Sequence, residues 1–105
     1  MSDAQILERL FATIESRKGG DVETSWTAKL FAQGRPAIVQ KVGEEAVEVT
    51  IAALTEGKEG LTSESADLLY HLLVLWADAG VKPVDVWAKL AEREGTSGLV
   101  EKNSR

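Results

Sequence analysis

A chain of 105 residues, 44% hydrophobic and 28% charged, is long enough for one modest core and too apolar for a disordered tract, so a single domain over residues 1–105 is expected. The formal net charge of −5 excludes a general nucleic-acid binder, which needs many basic side chains to neutralise phosphates. No apolar run reaches the roughly eighteen residues of a membrane span, and Met1-Ser2-Asp3-Ala4 starts no basic-then-apolar signal pattern, so no membrane partner and a cytoplasmic location are expected.

From Asp3 to about Arg17, Ile6, Leu7, Leu10, Phe11 and Ile14 recur at three- and four-residue spacing, which predicts an amphipathic helix. Ser2 or Asp3 can cap it, and Lys18-Gly19-Gly20 ends it. The pattern is then irregular to Pro36, apart from one short helical piece over Trp26 to Gln33. Pro36 suits the first turn of a helix reaching about Glu56, where Gly57-Lys58-Glu59-Gly60 reads as a turn. The next helix, Thr62 to Ala79, has hydroxyl caps at Thr62 or Ser63 and is apolar nearly all round in its second half, which calls for a cover from a second copy of the chain. Gly80 closes it, and Pro83 opens a last helix with Val84, Val86, Trp87, Leu90 and Ala91 as its apolar positions, ending near Gly95. The expected fold is all-α: an antiparallel helical bundle with two long central helices, completed by oligomerisation.

Charge is concentrated where those central helices should be buried. Residues three apart on a helix share a face, so Glu45 projects with Glu48, and Glu64 with Asp67. A short turn between the helices brings the two pairs together, and four converging carboxylates either hold protons or hold a cation. With no cysteine and only His71 as an imidazole, any metal is held mainly by oxygen, which points to Mg²⁺, or Mn²⁺. A solvated acidic face is the other reading of the same spacing. Lys41, one turn before Glu45, can reach metal-bound phosphates or simply pair with Glu45. Ser25, Thr27 and Lys29 can receive phosphate or ribose, or cap a helix. Gly43 inside a helix costs about 1 kcal/mol against alanine, consistent with close approach of a helix or ligand, or with a tolerated cost. His71 falls on the acidic face, either as a donor fixing Asp67 or as a buried structural histidine. Trp26, Trp76 and Trp87 read as core or interface, with Trp26 the one positioned to stack on a base.

Glu44-Glu45-x-x-Glu48, followed after fifteen residues by Glu64-x-x-Asp67, resembles the signature of the all-α, MazG-like nucleotide pyrophosphohydrolases. Four segments in order resemble the phosphoribosyl-ATP pyrophosphohydrolase family of histidine biosynthesis: Ser25 to Leu30, Lys41 to Ala46, Glu64 to His71, and Ser97 to Lys102. That resemblance implies Mg²⁺-dependent hydrolysis of the alpha-beta phosphoanhydride of phosphoribosyl-ATP by a homodimer or higher oligomer. It implies Glu45, Glu48, Glu64 and Asp67 as metal ligands, and Glu44 as a further ligand or the group orienting water. Phosphate and ribose contacts fall to Ser25, Thr27, Lys29 and Lys41, and Arg93, Lys102 and Arg105 either close over phosphates or belong to a solvated end. Two other functions fit the same residues: hydrolysis of noncanonical nucleoside triphosphates, and a non-enzymatic helical dimerisation module.

Overall fold

The computed structural model describes residues 3–95 and contains five helices. Helix α1 is Ile6–Ser16, α2 Trp26–Gln33, α3 Arg35–Thr55, α4 Gly57–Ala79 and α5 Pro83–Arg93. Among the described residues there is no strand, and no helix is long and apolar enough to cross a membrane. The all-α expectation therefore holds. Ser2, Lys102, Arg105 and the Ser97 to Lys102 segment lie outside the described residues.

The organising unit is the antiparallel pair α3 and α4, which makes the most extensive packing in the molecule. The connection is tighter than the expected four-residue turn. Thr55 ends α3, Glu56 remains right-handed, and Gly57 reverses the chain at φ +73°, a region open chiefly to glycine. Helix α4 then begins at once, so Thr62 does not cap it; its hydroxyl donates back to the Lys58 carbonyl within the helix. Gly60 is a helical residue of α4 and must be small there: a Cβ would lie 2.5 Å from the Glu56 Cβ.

The core sits at the open end of this hairpin, away from the Gly57 turn. Ile38 of α3 meets Leu73, Val74 and Ala77 of α4, and Phe11 and Ile14 of α1 with Leu30 of α2 close over them. Polar ties pin the same end. Arg35 donates from Nε to Asp78 Oδ2 at 2.8 Å and from a terminal nitrogen to the Asp78 carbonyl, and Lys18 donates to the Ala77 carbonyl at 2.7 Å. Helix α5 packs on α1, and its Trp87 ring meets Trp76 edge-on at 6.0 Å. Trp76 and Trp87 are thus packing residues.

Towards the turn the hairpin is bare. Val47, Ile51 and Leu54 on α3 are exposed, Leu54 at 87%, as is Leu69 on α4. The radius of gyration, 15.6 Å, exceeds the roughly 13 Å of a compact chain of this size, as a projecting hairpin requires.

Candidate functional site

Between the core and the turn, α3 and α4 each aim acids at the other. At about 100° per residue Glu45 lies only about 20° from both Ile38 and Ala52, the two fully buried residues of α3, so it points at α4. Asp67 stands about 20° from buried Val74 and points back. Glu64, one turn earlier, completes a group in which one carboxylate oxygen from each of Glu45, Glu64 and Asp67 lies within 4.8 Å of the others. Glu48, one turn on from Glu45, is exposed and is not part of this trio. Its charge still acts on the trio: partial burial raises the proton affinity of Glu64 above the ordinary carboxylate range, and Asp67, Glu45, Glu48 and Glu56 push it further the same way. Three converging carboxylate oxygens, of which Glu45 alone has a lysine partner, form a group that could hold a metal ion.

The remaining predicted residues fall around the trio in distinct ways. Lys41 pairs with Glu45 at 3.3 Å and Glu44 at 3.5 Å, and its ammonium lies 5.8 Å from the centre of the Trp26 ring. Glu44 is turned to the outer side, where it also accepts from Gln40. Ser25 caps α2, its hydroxyl oxygen accepting from the Ala28 N–H at 3.0 Å. Thr27 is buried and shares a short hydrogen bond with the Tyr70 hydroxyl. Lys29 is exposed on α2, and Arg93 is exposed in the last turn of α5, an element that packs on α1 and not on the acidic part of the hairpin. Gly43 has nothing within 4 Å of a would-be Cβ, so no other part of the described chain approaches it closely.

His71 is a structural anchor. Its Nδ1 is 2.8 Å from the Asp67 backbone carbonyl and its Nε2 is 3.3 Å from the Trp26 indole nitrogen. An indole N–H can only donate, so Nε2 accepts and Nδ1 carries the proton. The imidazole therefore holds the backbone under Asp67, leaves that carboxylate free, and fixes the Trp26 ring, which it meets edge-on. Trp26 is left 47% exposed beside Lys41 as a fixed aromatic wall.

Trp26 also lines a cavity of about 280 Å³. Leu10 and Ile14 of α1 form its apolar floor, and Thr13, Thr24, Ser25, Thr27 and Tyr70 bring hydroxyls to it, with Arg17 as its cation. Arg17, Thr13 and Thr24 escaped sequence reasoning because they meet only through the packing of α1 on the Asp21–Ser25 loop. Tyr70 carried a local signal, three residues beyond Asp67 on the same helical face.

A family profile described as phosphoribosyl-ATP pyrophosphohydrolase matches residues 7–94. The chain is 64% identical to the phosphoribosyl-ATP pyrophosphatase of Azospirillum brasilense over 97% of its own length and 92% of the relative's. It is 65% identical to that of Paramagnetospirillum magneticum over 98% and 94%, and 60% identical to that of Rhodospirillum rubrum over 96% and 86%. The matched residues cover all five helices but for Ile6 and include every acid of the trio, and the chain belongs to the phosphoribosyl-ATP pyrophosphohydrolase family.

Proposed function

We propose that this chain hydrolyses the alpha-beta phosphoanhydride of phosphoribosyl-ATP to phosphoribosyl-AMP and pyrophosphate, the second step of histidine biosynthesis, and that it does so with Mg²⁺, Mn²⁺ being an alternative. The observation that carries this reading is the trio Glu45, Glu64 and Asp67, acids of two facing helices held together in a chain of this family. Their carboxylates fit a hard cation, which when bound supplies charge neutralisation at the triphosphate and electrophilic help at the alpha phosphorus.

The protein's own part is positioning. Water attacks the alpha phosphorus, the bond to the bridging oxygen breaks, and pyrophosphate leaves. Glu48, the acid beside the trio that makes no ion pair among the described residues, we propose as the fourth ligand, with Glu44 a further ligand or the group that orients that water and accepts its proton. Glu44, held by Gln40 and Lys41, keeps the Lys41 ammonium at the edge of the site. Lys41 exchanges its carboxylate partners for substrate phosphate oxygens. Trp26 stacks on the adenine. Ser25 and Thr27 contribute from the cavity side, and Lys29, Arg93 and Lys102 remain proposed phosphate contacts, completed by a second copy of the chain.

That copy forms a homodimer through the bare half of the hairpin, where Val47, Ile51 and Leu54 make one stripe and Gly43 adds a site for close helix approach. The test of function is turnover of phosphoribosyl-ATP against a panel of canonical and noncanonical nucleoside triphosphates in Mg²⁺. Preferential turnover of phosphoribosyl-ATP is expected, and preference for the panel overturns the substrate assignment.

A further inference from the structure

The cavity lined by Trp26 has three properties that together specify a ligand. Its volume, about 280 Å³, lies just below the roughly 300–1,000 Å³ of sites that enclose a whole drug-sized ligand, so it takes a fragment of a larger molecule. Its lining holds Arg17 and no acid, in a chain whose net charge is −5. Its hydroxyls also keep hydrogen-bonding capacity. Ser25 Oγ accepts from Ala28 and retains its own proton to donate, and of the Thr27–Tyr70 pair only one O–H is used, leaving the other to point at a ligand. A lining of hydroxyls with one guanidinium fork is complementary to a sugar carrying a phosphate.

The place of the cavity matters equally. Trp26 lines the cavity and also lies 5.8 Å from Lys41, which pairs with Glu45 of the trio, so an adenine on Trp26 would be beside both the cavity and the metal-binding acids. Phosphoribosyl-ATP is built the same way, with a triphosphate at one end of the nucleoside and a second ribose phosphate on the base. We infer that the cavity binds the ribose 5-phosphate that phosphoribosyl-ATP carries and ATP lacks, with Arg17 holding its phosphate. Arg17 is thereby a specificity-determining residue, and this assignment rests on the function proposed above.

Calorimetric binding of phosphoribosyl-AMP and of AMP tests it without turnover. The wild-type protein binds phosphoribosyl-AMP about 10- to 100-fold more tightly than AMP, the effect of a charge-assisted bidentate contact. Arg17→Gln removes most of that ratio while leaving AMP affinity and Mg²⁺ binding unchanged, and Arg17→Lys retains part of it. Arg17 is exposed, so the variants keep their helical circular dichroism. Thr24→Val, on the same wall, lowers the ratio as well. Equal wild-type affinity for the two nucleotides, or a ratio unchanged in Arg17→Gln, overturns the inference. Failure of the wild-type protein to turn over phosphoribosyl-ATP is a different result, which sinks the hydrolase reading while the binding ratio still reports on the cavity.

Discussion

Glu45 occupies a position on α3 in line with Ile38 and Ala52, where an apolar side chain would stabilise the helix pair. A carboxylate there, facing two more from α4, disfavours the metal-free fold and prepares it for a cation. Glu45→Gln or Asp67→Asn is expected to lower turnover by at least about 100-fold, since loss of even a residue that merely orients a ligand costs 10- to 100-fold. Helical circular dichroism is expected to survive in both. Glu64 adds a pH dependence. Its folded-state proton affinity is raised, so ionised Glu64 subtracts from stability at neutral pH, and that loss disappears as pH falls below its titration range. Glu64→Gln should therefore raise the melting temperature of the metal-free protein at neutral pH, with the gain shrinking in acid. Mg²⁺ affinity of the wild-type protein should fall as pH is lowered, because the proton competes for the same oxygen. At Ser25, whose hydroxyl caps α2, replacement by alanine is expected to cost about 1 kcal/mol in thermal or urea unfolding.

Among the elements, the α3–α4 hairpin joins the stabilising core at its open end to the acids nearer its turn. Leu73 is fully buried in that core, and Leu73→Ala is expected to cost about 2–5 kcal/mol, measured by urea unfolding. Much of this arrangement was legible from local pattern. The i, i+3 spacing put Glu64 with Asp67, and Ser25 before Trp26 marked the start of α2 where the structure has it. Two features were not legible for definite reasons. Gly60 looks like turn punctuation but is a helical residue kept small by Glu56, a contact between successive turns that composition does not reveal. Which of the acids share one three-oxygen group is not set by spacing, since Glu45–Glu48 and Glu64–Asp67 are spaced alike; it depends on how α3 packs on α4. His71 was placed correctly on the acidic face, but its partners, the Asp67 carbonyl and the Trp26 indole, depend on how α2 docks on α4.

Across the whole molecule, the open end of the hairpin is covered by α1 and α2, and the turn end is covered by no other helix described here. Leu54, at 87% exposure on the bare stripe, is the most exposed of the large apolar residues there. Leu54→Lys together with Ile51→Lys is expected to shift the protein from dimer to monomer in sedimentation equilibrium, with little loss of core stability. An unchanged mass would contradict the proposed interface. In the proposed reaction the acids of one hairpin direct water to the alpha phosphorus of phosphoribosyl-ATP. Hydrolysis in heavy-oxygen water with Mg²⁺ measures this directly. One labelled oxygen on phosphoribosyl-AMP, unlabelled pyrophosphate, and no reaction once the metal is chelated are expected. Label appearing in pyrophosphate, or turnover undiminished by chelation, would contradict the proposed reaction.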